Sequence, residues 1–201
     1  MVSSLRLYLI RHGETVWSLS GRHTGLTDLP LTPHGEQMAQ ALTPLLKQVS
    51  FSRVLSSPRL RARATCSLAE LGTDAEIEPD LAEWDYGDYE SLRTPEILNK
   101  RPGWDIWQDG CPGGEAPADV ADRADRLLHR LRKERGNVAL FSHGQFGRVL
   151  AARWLLLPPR EGRHFALDPA SLSILGTDAD HALRPVISLW NASSSFFRSG
   201  A

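Results

Sequence analysis

At 201 residues, 41% of them hydrophobic, the chain is long enough to bury a full core and is read as one domain over 1–201. Its formal net charge of −1 leaves no bulk field to draw it to nucleic acid or an anionic membrane. The two cysteines, Cys66 and Cys111, have neither metal-ligand nor disulfide-framework spacing, and no signal peptide or membrane-length apolar run is visible, so a reducing cytoplasm is the expected location.

Leu5 to Ile10 reads as a buried strand that runs into Arg11-His12-Gly13-Glu14. Gly21 to Leu31 is a loop, punctuated by Gly21, Gly25 and Pro30. Thr32 followed by Pro33 is a helix start, and Met38, Ala41, Leu42, Leu45, Leu46 and Val49 continue it as one stripe. Arg53 to Ser56 is a second strand, Arg59 to Leu71 a helix behind Ser57-Pro58, and Ala75 to Ile77 an edge strand. From about 84 to 117, glycines and prolines interrupt a stretch carrying Trp84, Tyr86, Tyr89, Trp104 and Trp107, with one helix near Thr94 to Lys100. Aromatic content argues against disorder, so this insertion is expected to act as a lid. Ala118 to Lys133 is an amphipathic helix with Val120, Ala124, Leu127, Leu128 and Leu131 on one face. Asn137 to Phe141 is a buried strand, Gly147 to Leu157 a buried helix, and strands near Ser171 to Leu175 and Pro185 to Leu189 complete the chain. The alternation predicts an α/β fold, a three-layer α/β/α sandwich around a mostly parallel sheet.

Two strand ends carry the chemistry. His12 ends the first strand, and His143, in Ser142-His143-Gly144, ends a later one. An open α/β sheet points such strand ends into one crevice. Arg11 lies beside the first histidine, and Arg59, Arg61 and Arg63 compete for a place near a helix start, where an anion is favoured. Guanidinium forks match phosphate oxygens, and a neutral imidazole can attack phosphorus if its other nitrogen is held as a donor; the Gly13 turn offers a carbonyl for that. A leaving alkoxide needs a proton, for which Glu83 and Asp85 are both candidates.

Together, Arg11-His12-Gly13-Glu14-Thr15, Thr24-Gly25, Ser57-Pro58 through Arg61-Ala62 and Thr65, Leu81-Ala82-Glu83 with Gly87, and Ser142-His143-Gly144 make a specific pattern. The chain resembles the histidine phosphatase superfamily, in the branch of the cofactor-dependent phosphoglycerate mutases and related phosphatases. The resemblance spans nearly the whole chain and implies a phosphoglycerate mutase-like fold. It further implies that His12 is phosphorylated, that Arg11, Arg61 and His143 bind the phosphoryl group, that Glu83 donates the proton, and that neither metal nor cofactor is needed. Gly25 to Pro30, Trp84 to Glu90, and Trp107 with Asp109-Gly110-Cys111 and Gly114-Glu115 are similar to a subgroup of mutase-like bacterial acid phosphatases and fungal sedoheptulose-bisphosphatases.

Where mutases carry an arginine after the catalytic glutamate, an arginine pair in the lid and an asparagine after the second His-Gly, this chain has Trp84, no pair, and Gln145. Ser18 stands where the family's first motif has asparagine. Losing several charge-assisted contacts, each worth about 1.5–3 kcal/mol, disfavours re-orienting a bisphosphate and leaves the phosphoryl group to water. The reading is a phosphatase of small phosphomonoesters; a phosphoglycerate mutase and a non-catalytic phospholigand-binding module are the alternatives. Ser18, Thr24, Gly25, Tyr86, Gly144 and Gln145 are the expected substrate-binding set. The lid aromatics, with Arg93 and Arg101 the only guanidinium groups nearby, suggest an apolar and tolerant wall. The expected partner is a small-molecule phosphomonoester, without nucleic acid or membrane, and a homodimer is left open.

Overall fold

The computed structural model describes residues 5–178 and 183–193, so the domain read over 1–201 extends beyond the described residues at both ends. The strands are β1 (Arg6–Arg11), β2 (Phe51–Ser56), β3 (Ala75–Ile77), β4 (Asn137–Ser142), β5 (Leu172–Asp178) and β6 (Arg184–Ala192). They form one sheet in the order β3-β2-β4-β1-β5-β6. The first four are mutually parallel; β5 runs antiparallel to β1, and β6 antiparallel to β5.

Helices cover both faces. They are α1 (Val16–Ser20), α2 (Pro33–Gln40), α3 (Thr43–Leu46), α4 (Leu60–Leu68), α5 (Thr94–Lys100), α6 (Ile106–Asp109), α7 (Pro117–Leu131) and α8 (Gly144–Trp154). Because strand side chains alternate, Tyr8, Ile10, Ala139 and Phe141 meet Leu46 of α3 and Cys66 of α4, while Leu7, Leu9, Val138 and Leu140 pack with Leu127 of α7 and Val149 of α8. After β1 the chain enters the first layer of helices; after β4 it enters the second. That divergence between neighbouring parallel strands opens a crevice at their carboxyl ends. Arg11 stands opposite Ser142 and Ser56 opposite Phe141, so three strand ends reach the crevice level with one another.

The structure departs from the sequence reading at several places, α6 in the insertion among them. The helix expected from Thr32 to Val49 is two, because Pro44 lacks an N–H and its ring would strike the carbonyl one turn back; α2 stops at Gln40 and α3 starts afresh at Thr43. Helix α1 was not foreseen; Thr15 caps it, accepting the Ser18 N–H. Helix α8 starts at Gly144, three residues before the expected Gly147. Finally, Trp84, Tyr89, Trp104 and Trp107 of the insertion belong to the core. Trp84 meets Trp107 edge-on at 5.9 Å and Tyr89 meets Trp104 at 5.3 Å, while the indole N–H groups of Trp84 and Trp104 reach the Glu115 and Gly110 carbonyls. No helix among the described residues is long and apolar enough to cross a membrane.

Candidate active site

His12 follows β1 directly. Its N–H donates to Ser142 O at 2.9 Å and its carbonyl accepts the Ala170 N–H at 3.0 Å, which locks it to β4 on one side and the lead-in to β5 on the other. The Gly13 N–H reaches Thr65 Oγ1 at 2.9 Å, tying the turn to α4. A Cβ at Gly13 would lie 2.5 Å from Gly35 O, so only glycine lets the start of α2 press onto this turn. His12 Nδ1 lies 2.7 Å from the Gly13 carbonyl. A carbonyl only accepts, so Nδ1 carries the proton and Nε2 keeps its lone pair. This is the tautomer expected of a nucleophile.

His143 lies edge-on to His12, ring centres 5.2 Å apart, with Nε2 at 2.7 Å from Ser57 Oγ. Arg61 is completely buried and donates to the carbonyls of Thr27 (3.0 Å), Thr24 (2.9 Å) and Gly25 (3.2 Å). Arg11 donates to the Leu167 carbonyl and lies across the start of α8, where a Cβ at Gly144 would come within 3.3 Å of its guanidinium carbon. Burial first, then the Arg61 charge, holds both histidines well below the usual histidine range. Both rings are therefore neutral at neutral pH. Burial also presses the Arg11 and Arg61 guanidinium groups downward, opposed chiefly by the Glu83 charge.

Glu83 and Asp85 part company. Glu83 lines the cleft, and its carboxylate accepts the N–H groups of Trp84 (2.9 Å), Gln145 (3.0 Å) and Phe146 (2.8 Å). Asp85 turns aside to cap Gly87 and is absent from the cleft wall.

The cleft holds about 210 Å³ and opens to solvent. Arg11, His12 and Glu83 line it, while Arg61 and His143 lie fully buried beneath the wall. Of the expected substrate-binding residues, Ser18, Thr24, Tyr86, Gly144 and Gln145 line it. Gly25 does not; its N–H is held by the Glu90 carboxylate and its carbonyl by Arg61. Ser18 is engaged locally, its hydroxyl donating to Thr15 O and accepting the Thr15 N–H.

Sequence reasoning missed Arg22, His23 and Arg148, which also line the cleft. His23 stacks on Tyr86 at 4.6 Å, and Arg148 lies 4.8 Å over the Trp107 ring, bonded to Gln145 Oε1 at 2.6 Å. The helical spacing of Gln145 and Arg148 was a usable signal once α8 is started at Gly144. Arg93 and Arg101, expected nearby, pair instead with Glu96 and Asp109. The apolar, charge-poor wall is thereby corrected: three tryptophans face the core, and Arg22 and Arg148 join Arg11 at the cleft. Among the described residues no three His, Cys, Asp or Glu side chains converge as metal ligands.

A model of the histidine phosphatase superfamily (branch 1) matches residues 7–193. An acid phosphatase of Mycobacterium tuberculosis is 43% identical over 187 residues, covering 91% of each chain. A sedoheptulose 1,7-bisphosphatase of Saccharomyces cerevisiae is 38% identical over 181 residues, covering 74% of this chain and 67% of its own. The solved structure of a Mycobacterium tuberculosis open reading frame superposes with a TM-score of 0.86 at 41% identity, over 94% of this chain and 98% of that one. With the two strand-end histidines and their arginines in one crevice, these matches place the chain in branch 1 of the histidine phosphatase superfamily, as a phosphatase.

Proposed function

We propose that this enzyme hydrolyses small phosphomonoesters without a metal, through a phosphohistidine on His12 with Glu83 as general acid. One observation carries the reading. Among the described residues, the buried side-chain nitrogen and oxygen atoms without a partner are Nε of Arg11, Arg59 and Arg61 and Nδ1 of His143. Unpaired buried donors are costly, and a phosphoryl group brings three acceptor oxygens for those of Arg11, Arg61 and His143. Ser57 Oγ accepts the Arg59 backbone N–H at 3.3 Å, and we take it to donate its own proton to His143 Nε2, which puts the ring's hydrogen on Nδ1.

In the first step the His12 Nε2 lone pair forms a bond to phosphorus as the ester oxygen leaves and takes the Glu83 proton. In the second, water attacks the phosphohistidine, gives its proton to Glu83, and inorganic phosphate departs with His12 neutral again. Splitting the reaction this way replaces one hard displacement by two easier ones. Enzyme quenched during turnover of 32P-labelled ester should retain acid-labile label, and His12→Ala should retain none. Equal labelling of the His12→Ala protein would overturn the assignment.

A further inference from the structure

We infer that Arg123 and Glu115, which do not line the cleft, are positioning residues that hold Glu83 at the leaving-group oxygen; this rests on the reading of Glu83 as the acid. Residues 82–86 run between a short turn and the core without a strand partner, yet Glu83, Trp84 and Tyr86 are buried and Ala82 and Asp85 half-buried. Their backbone polar groups must be satisfied by something. Arg123, on α7, donates to three carbonyls in succession: Asp80 at 2.9 Å, Ala82 at 2.8 Å and Glu83 at 3.3 Å. Glu115 takes the other side. Its carboxylate accepts the Asp85 N–H at 2.9 Å, its carbonyl accepts the Trp84 indole N–H at 2.9 Å, and its own N–H donates to Asp85 O at 2.9 Å.

The two side chains are bound to each other as a fork, Nε to Oε1 and Nη2 to Oε2, both at 2.9 Å. They are only 11% and 21% exposed, too shielded for water to stand in readily for either. Arg123 also lies 4.6 Å over the ring of Phe146, whose N–H holds the Glu83 carboxylate. One guanidinium thus braces both the peptide that carries the acid and the residue that aims it. A displaced acid loses its alignment with the leaving oxygen while His12, Arg11, Arg61 and His143 keep theirs. The defect should therefore follow the leaving group.

The test compares an alkyl phosphate, glycerol phosphate, with an aryl one, p-nitrophenyl phosphate, in Arg123→Met, Glu115→Gln and Glu83→Gln. General acid catalysis is worth about 10²–10⁴-fold and kcat/KM reports only the steps up to loss of the alcohol, so Arg123→Met should lower kcat/KM on the alkyl ester by about 30-fold and on the aryl ester by less than about threefold. Glu115→Gln, which keeps an acceptor for the Asp85 N–H, should show the same selectivity at smaller size. It carries the test alone if Arg123→Met does not fold. Selective loss in Glu83→Gln with uniform or no loss in the positioning variants would overturn this inference and leave the acid in place. Uniform loss in Glu83→Gln would overturn the acid reading and the inference with it.

Discussion

Arg61 illustrates how a side chain becomes part of the site before any ligand arrives. Three of its bonds go to the carbonyls of residues 24, 25 and 27, and that loop is in turn held by the Glu90 carboxylate through the Gly25 and Thr27 N–H groups. Arg59, two residues away, is only half-buried and reaches out to Leu26 O at 3.0 Å. Arg61→Ala should therefore lower kcat/KM by about 10²-fold or more, and Arg59→Ala by less than about tenfold. The reverse order would move the phosphate-binding role to Arg59. His12 sets the pH dependence from the same scale. Burial and the arginines hold its conjugate acid well below the ordinary histidine value, so its ring stays unprotonated as the pH falls through about 6.5. In kcat/KM profiles corrected for the ester's own ionisation, activity should persist through that pH; an acid limb centred there would contradict a neutralised His12.

At the scale of elements, α8 and the Glu83 segment stabilise one another. Helix α8 has no capping side chain of its own: His143 holds the cap position in extended backbone and makes no capping bond. Glu83, sixty residues upstream, accepts the N–H groups of Gln145 and Phe146 in its place, and an anion is favoured at that end of a helix. Glu83→Ala should consequently destabilise the fold by about 1–3 kcal/mol, measured by denaturant unfolding, since it strands buried amide donors. A variant as stable as the parent would show that the contact contributes nothing to the fold. The insertion teaches the complementary lesson. The sequence suggests its aromatics as a wall for substrate, but the Trp84 and Trp104 indoles reach backbone carbonyls within the core, and of Trp84, Tyr86, Tyr89, Trp104 and Trp107 only Tyr86 lines the cleft.

For the molecule as a whole, the buried histidines make stability a function of pH. His12, His143 and His23 are all held below their unfolded value by burial. As the pH drops below about 6.5 the unfolded chain takes up protons that the folded chain refuses, so unfolding becomes easier by up to about 1.4 kcal/mol per pH unit for each histidine. The sign is that of a depressed base: stability is full above pH 6.5 and is lost on acidification. Denaturant midpoints should fall between pH 7.5 and 5.5, and His143→Gln should flatten that fall. A midpoint that rises on acidification would mean the histidines are charged in the fold.

Much of this was legible along the chain. Continuous apolar runs at 7–10 and 138–141 specified strands because each must feed two cores, and Thr32-Pro33 marked a helix start through local chemistry alone. Arg11, His12, Glu83 and His143 stood out because short-range motifs place them at element ends. The tertiary structure decided the rest. Pro44 splitting one helix into two was a local signal outweighed by an apolar stripe, whereas the true start of α8 depends on a carboxylate sixty residues away. Glu83 rather than Asp85, Arg61 buried beneath a loop of carbonyls, and Arg22, His23 and Arg148 at the cleft are all outcomes of which segments the sheet order brings side by side. A sequence lists its polar groups, but burial determines which of them must find a partner, and that is settled only when the layers close.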